Sequence, residues 1–458
     1  MQRLNRGMMG RYEIPDHIPQ TLRAVLFGLG EGPLGTVLRL IDGAGLDLGV
    51  ACLHAGDPLG ALLAEQDGLY TAFVRGYLGE THVHREEVVQ AITRVCGPED
   101  IEALAAEPAL ALGILDTEAG EIDDLLDLAA RLLSARRAAG LGGLEFLCLG
   151  ETADCAARAR ESVVRRAPDL SGWLDAACAF FPALADGLAL RAEAREAARL
   201  CAEMNYADGM IHLAEPGARL WIQAPEDFRR RWPLDRAEGV AFTDDLAGEL
   251  ALKHRLFDAG LFAMAAPGWL LGCDTLDGCM KLERLRDFVG RTYVDELLPG
   301  LDREAAAPRV IRAFERFENP LNRSSILRAG APLLRRFRLG ALPVIRAVAE
   351  ETFEPPRRLA FALAATIMLY AGARPNAQGV WEVARGSEAQ PILDDPEALA
   401  VFGTLAHDMP PETLAYAALA DRTLWDGEDL RGIDGLEARV ALDIARLQRD
   451  PAYLPGNE

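Results

Sequence analysis

The stretch AVLFGLGEGPLG, residues 24–35, predicts the fold of the amino-terminal half. A short apolar run meets four glycines, and a helical pattern of apolar residues follows from Val37 onward. A strand, a glycine-rich turn and a helix in this order form the setting of a dinucleotide-binding fingerprint. The glycines let the backbone approach a pyrophosphate, and the first turn of the helix offers it unpaired N–H groups. The alternative is a tight strand–helix corner that binds nothing.

The candidate cofactor contacts start from this turn. Gly28, Gly30, Glu31 and Gly32 occupy it. A dinucleotide site also needs an acidic residue near the end of the next strand, to hold the ribose hydroxyls. Asp57 is the candidate, although it lies several residues late in the segment LGVACLHAGDP, residues 48–58.

The pattern of elements changes once along the chain. Up to about Asp244, apolar strand-like segments alternate with helical ones, which predicts a doubly wound α/β sheet. After it, strand signals nearly vanish and long helical patterns follow. We therefore predict a Rossmann-type dinucleotide-binding domain over residues 20–243 and an all-α domain over residues 244–458.

Composition excludes several classes of function. The 458 residues carry a formal charge of −22, which disfavours nucleic acid and anionic membrane as partners because both are bound through clustered cations. No apolar run reaches the roughly 18 residues of a membrane span, and residues 1–20 lack the apolar region of a signal peptide. The eight cysteines show no CxxC spacing, so we expect no metal site and a reducing, cytoplasmic location.

The segment LALKHRLFDAGLFAMAA, residues 250–266, contains Lys253, one of two lysines in a chain whose basic residues are otherwise arginine. A lysine retained in so arginine-rich a chain suggests a chemical need. The alternative is a half-buried lysine that pairs with Asp258 or Glu249 on the same helix. We expect His254 to be a surface or packing residue, since adjacent helix positions face different directions.

Several segments resemble one family in order and spacing. They are QDGLYT (residues 66–71), DTEAG (116–120), AEPGARLWIQAP (214–225), DDL upstream of Lys253, and ERFENP (315–320) followed by ALP (341–343). Together they resemble the mannitol dehydrogenase family of long-chain polyol dehydrogenases, and within it the tagaturonate reductase (altronate oxidoreductase) branch. The resemblance covers most of the chain, from about residue 25 to residue 372.

The resemblance implies an enzyme with two domains and no metal. An amino-terminal Rossmann-type domain would bind NAD or NADP, with Thr117 and Glu118 of DTEAG among the contacts. A helical domain would bind a sugar acid or polyol, and Lys253 would be the general acid/base. The resemblance is compatible with a monomer or a homodimer.

The reactive helix of the family has the pattern K-x-x-x-x-N-x-x-H, and this chain departs from it. Lys253 matches, but Asp258 replaces the asparagine and Leu261 replaces the histidine. An ionised aspartate cannot donate to an oxyanion, and leucine forms no hydrogen bond. Asp258 could instead accept a hydrogen bond from Lys253 or from a substrate hydroxyl.

Other family positions differ as well. Residues 148–150, Cys-Leu-Gly, replace a polar C-D-N segment and so lack a second amide donor. On the substrate side, Ser324 lies roughly where the branch has a histidine, and Arg336 near an expected lysine. The arginine that ends the family's glycine-turn motif is Thr36 here.

Two interpretations remain open. The protein is an NAD(P)-dependent oxidoreductase that has moved to another sugar acid or polyol, with Lys253 and Asp258 in catalytic roles. Alternatively, it is a catalytically impaired relative that keeps the fold for binding or regulation. Loss of one oxyanion donor typically costs about 3 kcal/mol of barrier, which counts against the first interpretation. The lysine retained at the acid/base position favours it, and we therefore predict an NAD(P)-dependent oxidoreductase, with the impaired relative as the alternative.

Overall fold

The computed structural model describes residues 2–6, 21–321, 324–386 and 388–456. The chain forms two compact units, Met1–Leu250 and Ala251–Glu458. The units divide within helix Leu246–Lys253. The sequence pattern changes slightly earlier, where the predicted boundary lies between residues 243 and 244.

The first unit is built on an eight-stranded sheet. In chain order its strands are β1 (Leu22–Phe27), β2 (Gly49–Leu53), β3 (Ile92–Cys96), β4 (Leu112–Asp116), β5 (Glu145–Leu149), β6 (Ala179–Asp186), β7 (Arg219–Ile222) and β8 (Val240–Phe242). They lie in the order β8-β7-β6-β5-β4-β1-β2-β3. Strands β1 to β6 are parallel, and β7 pairs antiparallel with β6. The order reverses between β1 and β4, as in a doubly wound dinucleotide-binding sheet, and this confirms the predicted α/β class.

Alternate residues of β1 pack into two different cores. Ala24 and Leu26 belong to one apolar cluster, and Val25 and Phe27 to another. Because helices cover both faces of a parallel sheet, its inner strands are apolar at nearly every position, which is why β1 reads as an unbroken run. The helices of this unit are Arg39–Asp42, Pro58–Glu65, Ile101–Ala105, Ile122–Ala138, Cys155–Arg166, Ser171–Ala177, Ala194–Met204 and Glu226–Arg231, with a π-helical turn at Pro33–Leu38.

A smaller sheet accompanies the large one in the first unit. Its four strands follow the order Ala189–Arg191, His212–Ala214, Tyr70–Leu78, Thr81–Val89. The last two form an antiparallel hairpin.

The second unit is helical, as predicted. Its α-helices are Ala259–Leu270, Leu276–Lys281, Glu283–Thr292, Arg303–Phe317, Ile326–Gly330, Leu333–Arg336, Leu342–Thr352, Arg357–Tyr370, Pro396–Phe402, Pro411–Ala420 and Leu436–Arg449. Three π-helical turns, His254–Asp258, Tyr293–Leu297 and Phe337–Ala341, continue α-helices. Pro332 separates helices Ile326–Gly330 and Leu333–Arg336, since proline lacks an N–H and disfavours helix at the residue before it. A small three-stranded sheet, Arg374–Pro375, Trp381–Arg385 and Glu388–Pro391, was not predicted.

Two composition-based expectations concern membranes and cysteines. Within the described ranges, no helix combines the length and apolar character needed to cross a bilayer. All eight cysteines are free thiols, and five are buried: Cys52, Cys96, Cys148, Cys155 and Cys279. These five are small residues of the core, whereas Cys178, Cys201 and Cys273 are partly exposed.

Candidate functional site

The turn after β1 requires glycine at its first position. Gly28 has φ of 89°, and its N–H donates to the Leu53 carbonyl oxygen at 2.9 Å. A Cβ at this position would lie 2.8 Å from a methyl group of Leu125, in the helix that follows β4. Both the positive φ and the close approach exclude other residues. The turn therefore joins β1, β2 and that helix.

The two later glycines of the turn differ in their surroundings. A Cβ on Gly30 would lie 3.0 Å from the Asp116 carboxylate and 3.2 Å from Pro33. A Cβ on Gly32 would meet no atom within 4 Å. The turn thus packs tightly on its inner side and leaves an open cradle on its outer side, which suits a ligand that approaches the backbone.

A cleft opens beside this turn, and we call it the glycine-turn cleft. It is lined by Leu29, Gly30, Glu31, Asp57, Leu59, Glu121, Arg191, Met210 and His212. Three of the predicted cofactor residues, Gly30, Glu31 and Asp57, therefore line one cleft. It lies beyond the carboxyl ends of β1 and β2, where open α/β sheets bind their ligands.

Asp57 is held in place by the helix that it begins. Its carboxylate accepts a hydrogen bond from the Leu59 N–H at 2.8 Å and so caps helix Pro58–Glu65. This explains why the acidic residue comes late in the sequence. The loop after β2 carries the chain to the cleft before the helix starts.

The other predicted cofactor residues do not line the cleft. Thr117 donates its hydroxyl to the Leu149 carbonyl oxygen at 2.8 Å, and the Glu118 carboxylate accepts the Glu151 N–H at 3.2 Å. Gly28 and Gly32 shape the turn without lining the cleft. Thr117 and Glu118 instead connect the ends of β4 and β5.

Several residues of the cleft were missed from the sequence. Arg191 and His212 come from the smaller sheet, and the Arg191 N–H donates to the Glu31 carboxylate at 3.2 Å. His212 lies just before the AEPGARLWIQAP segment. No local pattern marks Arg191, because only the pairing of distant strands brings it to the turn.

Residues of the QDGLYT segment contact the residues that form this cleft. Tyr70 donates its hydroxyl to the Leu34 carbonyl oxygen at 2.7 Å, and its ring packs edge-on against His212. The Asp208 carboxylate accepts N–H groups of Thr71 and Met210, each at 2.7 Å. Burial raises the pKa of Asp208 although these hydrogen bonds oppose the shift. The motif is thus a buried polar network that positions residues of the cleft.

Lys253 begins the π-helical turn of the second candidate region. In this turn the Ala259 N–H donates to the His254 carbonyl oxygen, five residues earlier. Residues five apart in an α-helix point about 140° away from each other. A π-helical turn brings such residues closer together, and it occurs frequently at functional sites. The local geometry therefore brings the side chains of Lys253 and Asp258 to the same side.

Four side chains form what we call the lysine cluster: Lys253, His254, Asp258 and Arg336. One Asp258 oxygen lies 2.9 Å from Lys253 Nζ and 2.7 Å from His254 Nδ1. The other oxygen accepts a hydrogen bond from Arg336. The expectation that His254 points away from Lys253 is wrong, because in the π-helical turn both side chains meet one carboxylate oxygen.

The charge state of Asp258 follows from these contacts. Burial alone would raise the pKa of this carboxyl. The cations Lys253 and Arg336 and the hydrogen bond from His254 lower the pKa by more than burial raises it. The pKa therefore lies well below the usual range. Asp258 is a carboxylate near neutral pH, and it can accept but not donate hydrogen bonds.

Arg336 is fixed by several acceptors besides Asp258. Its Nε donates to the Gly330 carbonyl oxygen at 2.9 Å, and its Nη2 to the Ala331 carbonyl oxygen at 3.2 Å. Ser324 is buried ahead of helix Ile326–Gly330. Leu261, at the family's histidine position, is fully buried.

Residues of two neighbouring elements contact the backbone of the π-helical turn. Tyr293 donates its hydroxyl to the Leu256 carbonyl oxygen. A Cβ on Gly340 would lie 2.5 Å from the His254 carbonyl oxygen and 2.8 Å from the Ala259 nitrogen. Glycine at position 340 therefore lets two π-helical turns approach with their backbones in contact.

In the first unit, other residues occupy the space around Gly150, where the family has its second amide donor. A Cβ on Gly150 would lie 2.5 Å from Cys155 Cβ and 2.7 Å from the Thr117 hydroxyl oxygen. No asparagine side chain fits there without rearrangement. The absence of this donor, inferred from residues 148–150, is thus built into the packing.

Comparisons with known proteins give relatives over the whole chain. No family model matches the sequence. The altronate oxidoreductase of Cronobacter sakazakii is 28% identical, and the alignment covers 83% of this chain and 84% of that protein. The altronate oxidoreductase of Pectobacterium carotovorum is 27% identical, with 96% of both chains covered.

Solved structures show the same fold. The mannitol 2-dehydrogenase of Pseudomonas fluorescens, in a ternary complex with NAD and D-mannitol, superposes with a TM-score of 0.76 at 18% identity, covering 98% of each chain. A substrate-free D-sorbitol dehydrogenase superposes with a TM-score of 0.71 at 15% identity, covering 98% of this chain and 99% of its own.

Proposed function

We propose that the chain is a member of the mannitol dehydrogenase family and an NAD-dependent oxidoreductase acting on a sugar acid or polyol. The observation that carries the proposal is the place of Lys253. The lysine lies at the position that the family resemblance assigns to the acid/base, directly before a π-helical turn, and its side chain is 10% exposed.

The first unit would hold the cofactor in the glycine-turn cleft. Gly30, which lines the cleft, would let the backbone approach a pyrophosphate, and Asp57 would accept hydrogen bonds from the ribose hydroxyls. A bound nicotinamide would supply or accept the hydride. The Asp57 carboxylate would repel the additional phosphate of NADP, so we propose NAD as the cofactor.

Lys253 would exchange a proton with the substrate oxygen. An arginine could not serve, because it does not release its proton near neutral pH. The Asp258 carboxylate, 2.9 Å away, favours the ammonium form of the lysine. An ammonium can donate a proton to the oxygen of a carbonyl substrate, so we propose that Lys253 is the general acid in the reductive direction and the general base in the oxidative direction.

The same ammonium would stabilise the developing oxyanion. The family's asparagine and second amide are absent here, so Lys253 has to supply this electrostatic term. Asp258 would act as a positioning residue that fixes the direction of Lys253. The Lys253 ammonium, close to the reacting oxygen, would then offset part of the rise in the reaction barrier that loss of the two amide donors causes.

A keto sugar acid suits the region better than a neutral ketose. The buried Arg316 and the half-buried Arg336 approach Phe257 with their guanidinium groups, at 4.6 and 5.6 Å from the ring centre. With Lys253 they place three cations in one part of the second unit. A carboxylate on the substrate would complement this charge, in line with curated relatives named altronate oxidoreductases.

The test is a screen for NADH oxidation with keto sugar acids and ketoses, using the wild-type protein, Lys253→Met and Lys281→Met. Lys281 is the matched control, because its side chain is 71% exposed. We expect Lys253→Met to lose roughly 10²–10⁴ of kcat, as general acid catalysts do, and Lys281→Met to match the wild type. Full turnover by a folded Lys253→Met variant would contradict the assignment.

A second candidate, a relative that binds without turnover, has one observation in its favour. Asp258 is an ionised acceptor, and the packing at Gly150 excludes the second amide. A protein that binds NADH yet reduces no member of the substrate panel would fit this function better than the first.

A further inference from the structure

We propose that Arg191 is the cation that binds the cofactor pyrophosphate, in place of the arginine that the family carries at the position of Thr36. The inference rests on the proposed function, because it assumes a dinucleotide in the glycine-turn cleft. It concerns a residue that no sequence motif marks.

The position of Thr36 has no room for an arginine. Thr36 is 1% exposed, and its hydroxyl oxygen has no hydrogen-bond partner among the described residues. A Cβ on Gly187 would lie 3.4 Å from that oxygen. An arginine at position 36 would have its Cβ in the core, and its side chain would displace the residues around Gly187. A cation for the cofactor pyrophosphate must therefore come from another residue.

The strand Ala189–Arg191 brings a cation to the same turn. A Cβ on Gly35 would lie 2.5 Å from Ala189 Cβ, so this strand packs directly on the helical turn that holds Thr36. Side chains two apart in a strand point to the same face. Arg191 therefore faces the turn as Ala189 does, and it lines the cleft while its N–H donates to Glu31 at 3.2 Å.

The charges of the cleft make this cation necessary. Glu31, Asp57 and Glu121 contribute three carboxylates, and Arg191 is the one lysine or arginine among the described residues that line it. Unless a cation offsets them, these carboxylates repel a pyrophosphate. A guanidinium meets phosphate oxygens with two parallel hydrogen bonds, which a lysine cannot do.

The contact with Glu31 favours the pyrophosphate over a ribose phosphate. Glu31 belongs to the glycine turn, where the backbone lets a pyrophosphate approach. Asp57, which follows β2, is the residue suited to the ribose hydroxyls. The backbone N–H of Arg191 binds Glu31, so Arg191 lies beside the turn that a pyrophosphate would approach.

The experiment is an equilibrium titration of wild-type, Arg191→Gln, Arg191→Lys and Arg195→Gln proteins with NADH, NADPH, ADP and adenosine. Nicotinamide fluorescence reports the first two ligands and calorimetry the others. Arg195 is the matched control, since it is exposed in the following helix, Ala194–Met204. We expect Arg191→Gln to raise the Kd for NADH and ADP by about tenfold, the loss of a charge-assisted pair. Adenosine binding should not change, and Arg191→Lys should recover part of the loss.

The outcomes separate the inference from the proposed function. Equal NADH and ADP binding by wild type and Arg191→Gln overturns the inference and leaves NAD binding intact. An equal loss for adenosine also overturns it, since the variant then damages the cleft as a whole. A loss confined to NADPH would assign Arg191 to a ribose phosphate instead. If the wild type binds neither NADH nor NADPH, the proposed function fails first.

Discussion

Lys253 Nζ and Asp258 Oδ2 lie 2.9 Å apart, although the two residues are five positions apart in one continuous helical stretch. The π-helical turn makes this contact possible, and Arg336 binds the other oxygen of the same carboxylate. Two positions that depart from the family pattern, Asp258 and Arg336, thus contact each other. We interpret the two changes as coupled, because together they form an ion pair beside the retained lysine. Independent loss of the active-site residues would not produce such a pair.

The first prediction concerns the energy that couples this pair. Asp258→Asn leaves two cations, whose side chains are 10% and 14% exposed, without their buried carboxylate, so we expect it to cost about 3–5 kcal/mol of unfolding free energy. Arg336→Met should also destabilise. The double variant should cost less than the sum of the two, by about 0.5–3 kcal/mol. Denaturant unfolding measures all four proteins.

The exposed pair Arg346–Glu428 provides a control cycle in the same unit. Its side chains are 40% and 47% exposed, and such pairs contribute less than about 1 kcal/mol. Additive costs for Asp258 and Arg336, similar to the control, would show that the cluster is not an energetic unit.

The second prediction follows from the depressed pKa of Asp258. A carboxyl whose folded pKa is lower than its unfolded value of about 3.9 stabilises the fold above that value. This contribution is lost as the pH falls toward the folded pKa. The unfolding free energy of the wild type should therefore fall more steeply below about pH 4 than that of Asp258→Asn. Parallel pH curves would rule out a depressed pKa.

The third prediction tests the backbone contact at Gly340. Gly340→Ala would place a methyl group against the His254 carbonyl and the Ala259 nitrogen, so we expect a loss of about 1–3 kcal/mol in stability. Gly290→Ala is the matched control, because a Cβ there meets no atom within 4 Å and the residue lies inside helix Glu283–Thr292. It should stabilise by about 0.4–1 kcal/mol. Thermal unfolding of both variants decides, and a neutral Gly340→Ala would mean that the two turns are further apart.

The fourth prediction separates two roles of Asp57. Asn is as good a helix cap as Asp, so Asp57→Asn should keep helix Pro58–Glu65 and the stability of the protein. It removes the charge that would repel the additional phosphate of NADPH. The preference for NADH should then shrink by about 1 kcal/mol, the energy of two unit charges 4 Å apart in water. Titration with both cofactors measures the shift, and an unchanged preference would place the selectivity elsewhere.

Much of the fold could be predicted, because its signals are local. The apolar run of β1, the glycine turn and the helical periodicity after residue 244 all reflect neighbours in sequence. Strand β6, Ala179–Asp186, gave no clear pattern: it contains a proline and is buried over only part of its length. The small sheet after Arg374 was missed for a similar reason, since its strands are short and polar.

The site was less predictable because tertiary contacts shape it. The sequence indicated Lys253 and Asp258, but α-helical geometry misplaced His254. The π-helical turn is held by Tyr293 and Gly340, which lie in distant segments. Arg191 could not be found, because pairing between distant strands carries it to the cleft.

The most direct test of the account is a titration of the purified protein with NADH, followed by nicotinamide fluorescence, with NADPH in parallel. It requires no knowledge of the substrate. We predict saturable binding of NADH in the micromolar range and weaker binding of NADPH. Absence of binding by both would contradict the account, since the glycine-turn cleft would then have no cofactor and Lys253 no reaction to catalyse.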